Sequence, residues 1–410
     1  MRTTAWKRVS ALWLAVSPLA LAGNAMAQTG AYDNITEYPT AGANGNYSSI
    51  TTGPDGALWY TEDISNSIGR MTTTGAATAY PVPTPDSVLF GIASGPDGAL
   101  WFTEYGAGKT GRISTTGTIA EYATPTADSG PTFIVAGPDG ALWFTEFNAN
   151  HIGRITTAGQ FTEYPVPGGG NPAGITVGSD GALWFTQQNN NTIGRITTAG
   201  AITQFPLATG KGPYGIASGA DGALWFAEFT SLQIGRISTA GVVTQYPESQ
   251  SPYWITAGPD GALWFTEHEA NQIGRITTSG VVTQYSANAT PYGIAAGPDG
   301  ALWTVEDPSE LGRAPACGLG FSASFAGGTL TLDFDLGIDT PATLNVLVLN
   351  SAGVPIGEPF SKPISPVVPP QAFTMTNPFP NLGTVTVRPI LAAGPGQPIC
   401  AEARTVNTAP

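Results

Sequence analysis

Apolar positions along this chain come in short runs of five or six residues, each closed off by Gly, Pro, Asp, Asn or Thr. In the clearest stretch Thr132–Ala136 predicts a strand. Gly137-Pro138-Asp139-Gly140 then predicts a tight turn, with Pro at its second position and Gly at the left-handed one. Ala141–Glu146 predicts a second strand, Asn148-Ala149-Asn150 its connection, and Ile152–Thr157 a third strand. Ala158-Gly159 turns the chain into a fourth, Gln160–Pro165. No stretch has the length and 3.6-residue period of an amphipathic helix. The pattern is all-β.

This four-strand unit repeats. Asp-Gly-Ala-Leu-Trp occurs seven times, with its Trp at 59, 101, 143, 184, 225, 264 and 303, at spacings of 39 to 42 residues. Ile-Gly-Arg or a near variant follows each time, ending at Arg70, Arg112, Arg154, Arg195, Arg236, Arg275 and Arg313. Periods near 40 built of short strands predict propeller blades, one four-stranded sheet each. Six fourth strands end near Tyr80, Tyr122, Tyr164, Phe205, Tyr246 and Tyr285, whereas the seventh unit runs from Arg313 into Ala314-Pro315-Ala316-Cys317 without one. The missing strand is found at the other end of the chain, where Ile35-Thr36-Glu37-Tyr38-Pro39 matches Phe161-Thr162-Glu163-Tyr164-Pro165. A seven-bladed β-propeller closed by an N-terminal strand is therefore expected, and such closure removes free ladder partners. The repeated Trp residues are expected between the blades. The repeated Arg residues are expected in structural ion pairs with a repeated Asp or Glu.

Both ends of the chain depart from the repeat. Arg2, Lys7 and Arg8 precede an apolar stretch, Val9–Ala22, and Ala25-Met26-Ala27 supplies the small residues of a cleavage site. Residues 1–27 thus predict a signal peptide, and the mature chain an exported protein, periplasmic or secreted, with no membrane insertion once the peptide is removed. After Arg313, Thr329–Leu336, Thr343–Leu349 and Thr384–Leu391 read as strands between Pro- and Gly-rich clusters. The domain expectation is 28–313 for the propeller and 314–410 for a β-sandwich-like domain. Cys317 and Cys400, the only cysteines, predict a disulfide there.

Charge narrows the partners. The chain carries −14, and loss of the signal peptide removes three cations and no acid, leaving −17. A surface that acidic argues against nucleic acid and anionic membrane as partners. Two cysteines and two histidines, His151 and His268, do not make a zinc site of the usual Cys/His kind. His151 opens a third strand and receives no role.

Gly-Pro-Asp-Gly-Ala-Leu-Trp-Phe-Thr-Glu, then Ile-Gly-Arg-Ile-Thr-Thr, then Thr-Glu-Tyr-Pro-Val-Pro resembles the virginiamycin B lyase family, over about 32–313. The resemblance implies a seven-bladed propeller that linearises streptogramin B antibiotics by elimination. In that reaction a base takes a Cα proton while a magnesium ion polarises the ester. The family's groups would be a His before the first strand of blade six, a Glu-Pro-His run before that of blade seven, and a Glu after the second strand of blade seven. Carried over, the first His falls on Tyr253, the Glu on Thr290, the second His on Tyr292, and the last Glu on Asp307, with Glu306 beside it. Both histidines are missing, and a phenol with a pKa near 10 is a poor base at neutral pH.

Several candidates remain at the expected mouth. His268, flanked by Glu267 and Glu269, could stand in as the base, as could Tyr292. Glu306 and Asp307 are the candidate magnesium ligands. The first-strand entrances carry Tyr47, Phe90, Phe133, Tyr214, Tyr253 with Trp254, and Tyr292. The second-strand ends carry Glu62, Glu104, Glu146, Glu228, Glu267 and Glu306, with Gln187 breaking the series. Two arrangements are open for these groups. In one, aromatics and carboxylates face a ligand; in the other, the aromatics pack between blades and the Glu residues pair with the repeated Arg. The expected function is an exported ligand-binding propeller taking a small molecule, peptide or saccharide at Tyr253, Trp254, Tyr214, Phe133 and Thr290. A magnesium-dependent carbon–oxygen lyase is the alternative, and a protein-interaction scaffold using the C-terminal domain is a third class.

Overall fold

The computed structural model describes residues 35–314 apart from 42–46, 209, 249 and 308. Beyond these it describes the backbone of eight strands between 320 and 407. Seven four-stranded antiparallel sheets form the propeller. In blade three the strands are Pro131–Ala136, Ala141–Glu146, His151–Thr156 and Phe161–Pro165, each within a residue of its expected bounds. First strands of successive blades adjoin one another, and Thr290–Ala296 of blade seven returns to Tyr47–Thr52 of blade one, so the ring is closed around them. The seventh sheet is completed by Thr36–Pro39, antiparallel to Glu310–Ala314. Tyr38 stacks on Trp303 at 5.4 Å as Tyr164 stacks on Trp143 at 5.5 Å, so the N-terminal strand takes the full place of a fourth strand.

The repeated residues form one packing unit per blade. Each of the seven Trp side chains is at most 1% exposed. In blade three Trp143 Nε1 donates to Asp139 Oδ1 at 2.9 Å, and Arg154 Nε donates to Asp139 Oδ2 at 2.7 Å. The same turn aspartate serves Trp and Arg in all seven blades, from Asp55 to Asp299. The expected structural ion pair is present, and its acid is the turn Asp rather than the Glu at the strand end. The geometry explains the choice: Trp143 pairs with Arg154 in the ladder, so both donors point back at the turn that starts the strand.

The glycine of Ile-Gly-Arg also has a steric reason. Gly153 lies opposite Phe144, and a Cβ there would sit 2.1 Å from Phe144 Cζ. The ring lies over the bare backbone, which is why the two motifs repeat together.

After the propeller, Gly320–Ala326, Thr329–Asp335 and Gln371–Met375 form one antiparallel sheet. Phe360–Ile364, Ala342–Leu349, Thr384–Gly394, Gln397–Ala401 and Arg404–Asn407 form another. The three strands expected there are all present. The Cys317–Cys400 pairing and the signal peptide lie outside the described residues. Among the described residues the only helix is a single 3-10 turn, His268–Ala270, and no helix is long and apolar enough to cross a membrane.

Candidate functional site

The mouth is shaped by irregularities at the start of the first strands. In every blade but the sixth the ladder to the second strand slips near its start, as between Pro131 and Ile134. Such a bulge bends the strand and re-aims its side chains. The position just after the last pair before the slip is Phe90 in blade two, Tyr214 in blade five and Tyr292 in blade seven, with Tyr253 in the matching place of blade six. The next position is Gly91, Gly174, Gly215 or Gly293 in four blades, but Phe133 in blade three and Trp254 in blade six.

Those two exceptions reach across the ring. Phe133 and Trp254 stack with centroids 4.2 Å apart and planes 27° apart, although their strands belong to blades three positions away from each other. Phe90 meets Phe133 edge-on at 5.1 Å, and Tyr214 meets Phe133 edge-on at 5.7 Å. Tyr214 stacks on Tyr253 at 4.6 Å, and their hydroxyls are 3.1 Å apart. The chain of rings continues from Tyr253 to His268 at 5.0 Å, and from His268 to Tyr292 at 5.8 Å. Phe133 and Tyr214 are buried, while Trp254, Tyr253, His268 and Tyr292 stay partly exposed above them. Four of the five expected binding residues (Phe133, Tyr214, Tyr253 and Trp254) thus converge, and they do so on one another rather than separately between blades. Thr290 stands apart, its hydroxyl donating to Asn271 Oδ1 at 2.8 Å. The side chain of Tyr47 lies outside the described residues.

Two contributors escaped the sequence reading. Phe229 stacks on His268 at 5.9 Å and meets Tyr253 edge-on at 6.2 Å, and Tyr105 lies 6.1 Å from Phe90. Both immediately follow the repeated Glu, the same place His268 occupies in blade six. That position changes from blade to blade, and this variation is the signal that marks it.

Electrostatics decide which groups titrate. Burial pushes the Tyr253 phenol up; burial and then the Asp307 carboxylate push up that of Tyr292; Tyr214 lies well above the ordinary value for the first reason. All three stay neutral near pH 7, so a tyrosinate base is not supported. Burial holds the His268 imidazole below its usual value against the opposing pull of Glu269. Its Nδ1 is buried with no hydrogen-bond partner.

The expected carboxylate ring is not at the surface. Glu62, Glu104, Glu146, Glu228, Glu267 and Glu306 are each 0% exposed, sealed inside the blades, and none pairs with a repeated Arg. Gln245 Nε2 donates to Glu228 at 2.8 Å, and Gln284 Nε2 to Glu267 at 3.0 Å. Glu306 accepts from Thr304 Oγ1 at 2.6 Å, and burial first, then Glu37 and Glu310, push its carboxyl up to about 7. Asp307 is exposed, and as the next residue of the same strand it points to the other face. Glu306 and Asp307 therefore cannot hold one ion between them, and with a threonine at position 290 the residues present do not fit magnesium there. Among the described residues, one group of potential metal ligands does converge: Glu146, His151 and Glu163 of blade three.

Comparisons with known proteins agree with this architecture. The sequence profile of the Virginiamycin B lyase family matches residues 5–211 and 170–318. Selenomethionine-substituted virginiamycin B lyase from Staphylococcus aureus is 42% identical, with a TM-score of 0.66 over 68% of this chain and 98% of that one. A streptogramin B lyase structure is 41% identical, with a TM-score of 0.66 over 68% and 96%. A catalytically inactive His-to-Ala variant of the S. aureus enzyme with quinupristin is 40% identical, again at 0.66 over 68% and 98%. A search of curated protein sequences finds no match. The family profile spans the whole propeller, and the chain is a member of the virginiamycin B lyase family.

Proposed function

We propose that this chain is an exported, ligand-binding member of the family, whose mouth holds a small molecule or cyclic peptide against stacked rings. The observation that carries the reading is the run of ring contacts from Trp254 through Tyr214 to Tyr253, His268 and Tyr292. It includes neutral phenols at the two positions where the family resemblance calls for histidines. Partly exposed rings over a buried aromatic floor suit flat apolar groups, and the phenol hydroxyls supply a few polar contacts. The test is calorimetric titration with quinupristin, followed by chromatography and mass spectrometry of the antibiotic after incubation with Mg²⁺. The expected result is saturable binding, weakened at least about tenfold in Trp254→Ala, as for a central aromatic anchor, with the antibiotic recovered intact. Absence of binding would overturn the reading for this ligand class.

A second reading has one observation in its favour. His268 is neutral, has an unused Nδ1, and lies between Tyr253 and Tyr292. Ring-opened product of unchanged mass, lost on chelation and lost in His268→Gln, would establish elimination with His268 as base and displace the binding reading.

A further inference from the structure

Blades two to seven each contain a polar node built from the last residue of the second strand, the first of the third and the middle of the fourth, whereas blade one has Ala79 at the fourth-strand position. The copies act as controls for one another. In blade two the node is Glu104, Lys109 and Glu121, and Lys109 Nζ donates to Glu121 Oε2 at 2.9 Å. In blade five Lys211 Nζ reaches Glu228 Oε2 at 3.4 Å, and Gln245 donates to the other oxygen. In blade four Gln204 Nε2 donates to Gln187 Oε1 at 3.1 Å, and in blade six Gln284 Nε2 donates to Glu267. In these four blades a cation or an amide donor lies beside the acceptors, whereas blade seven brings Glu306, Glu310 and Glu37 together.

Blade three has neither a cation nor an amide donor, but it alone places an imidazole between its carboxyls. Its node is Glu146, His151 and Glu163, with imidazole in the place of the blade-two lysine. Glu146 is 0% exposed beside the Ser129 hydroxyl and the Glu163 carboxyl, and burial, then the charge of Glu163, push its own carboxyl up to about 8. His151 Nδ1 is buried without a partner. It lies 3.6 Å from Glu146 Oε2 and 3.9 Å from Glu163 Oε2, outside hydrogen-bond range of both. Glu163 is held in place by the Thr126 amide and hydroxyl at 3.0 and 2.6 Å. One ligand atom from each of the three residues lies within 4.8 Å of the others. Donor atoms around a tetrahedral zinc, with bonds of about 2.0–2.2 Å, are about 3.4 Å apart, so these three need only a slight inward movement.

We infer that Glu146, His151 and Glu163 form a binding site for a divalent transition-metal ion, of which zinc is the best-matched probe. One imidazole and two carboxylates suit zinc or manganese, and the set needs no cysteine. The metal joins the second, third and fourth strands of blade three from the mouth side of the ring. The side chains of His151 and Glu163 remain 24% and 14% exposed, which leaves an entry path and room for water as a further ligand. This site is separate from the aromatic mouth and does not depend on what binds there.

The test is titration of metal-stripped protein with Zn²⁺, read by calorimetry, by zinc content after dialysis, and by the melting temperature with and without zinc. The expected result is one zinc per chain and a higher melting temperature in its presence, since a ligand of the native state alone stabilises it. His151→Lys copies the blade-two node, so it is expected to fold and melt like the zinc-free protein while losing the zinc. Glu163→Gln, as a second variant, is expected to weaken binding by more than the about 10–100-fold that loss of a supporting contact costs. No bound zinc, or binding unchanged in His151→Lys, would overturn the site.

Discussion

Replacing Glu104 with glutamine isolates the energetic consequence of burying an unpaired carboxyl in a blade. Glu104 is 0% exposed with both oxygens unpartnered. Burial and then the charge of Glu121 push it up to about 8, against the opposing pull of Lys109. Between the ordinary carboxyl range and pH 8 the native state keeps a proton that the unfolded chain has released. Stability is therefore present at low pH and lost as pH rises through this window. With about 1.4 kcal/mol for each tenfold change in acidity, the loss at pH 9 is on the order of 4 kcal/mol. Glutamine has the same shape and no charge, and blade four already carries it as Gln187, bonded to Gln204. The variant is expected to match the parent within about 1 kcal/mol at pH 5, as for a near-isosteric exchange, and to be more stable at pH 9. At about 2 °C per kcal/mol for a domain of this size, the gain at pH 9 is several degrees. Scanning calorimetry of both proteins at pH 5, 7 and 9 and constant ionic strength measures it. An equal difference in melting temperature at pH 5 and pH 9 would refute the reasoning, because a neutral or solvated Glu104 has no such window to lose.

Two further outcomes follow from the repeat. The Arg275–Asp260 pair of blade six is 3% and 5% exposed, against 22% and 19% for Arg154–Asp139. Arg275→Ala is expected to cost about 3–5 kcal/mol in urea denaturation and Arg154→Ala about 1 kcal/mol; equal costs would show that burial of the pair is irrelevant. Removing residues 1–41 deletes the strand Thr36–Pro39, leaving Glu310–Ala314 as an open edge and Trp303 without Tyr38. Size-exclusion chromatography is then expected to show higher oligomers, as for other unpaired edges, and a stable monomer would contradict the closure role.

The fold was legible because its packing unit is written out seven times. Trp, turn Asp, Arg and the glycine under Phe recur at fixed spacing, and each answers to a contact made within the blade. The borrowed strand was legible for the same reason, since Ile35–Pro39 is recognisably another fourth strand. The partner of the repeated Arg was not. Glu and Asp both recur near it, and only the ladder register, which pairs Trp143 with Arg154, turns both donors toward Asp139. The fate of the repeated Glu was hidden too. A carboxylate at a strand end reads as solvated, and only the ring geometry and the neighbouring strands bring all six to zero exposure.

The site could be read only where the repetition fails, and there the reading was incomplete for a physical reason. Phe133 and Trp254 are 121 positions apart in the chain and stand where blades two, four, five and seven have glycine. Glycine at that place lets neighbouring first strands approach closely: a Cβ on Gly91 would meet the Thr132 carbonyl at 2.6 Å, and one on Gly174 the Tyr214 carbonyl at 2.4 Å. A large side chain at the same place has no room between the strands, so it must project over the ring, and two such exceptions in facing blades meet there at 4.2 Å. Sequence periodicity supplies the rule, and the exceptions mark the mouth. The same logic picks out blade three a second time, where imidazole replaces the blade-two lysine and faces two carboxyls. In a molecule made of near-identical units, the chemistry that differs from blade to blade is what packing does not explain, and here it falls at the aromatic mouth and at the Glu146–His151–Glu163 node.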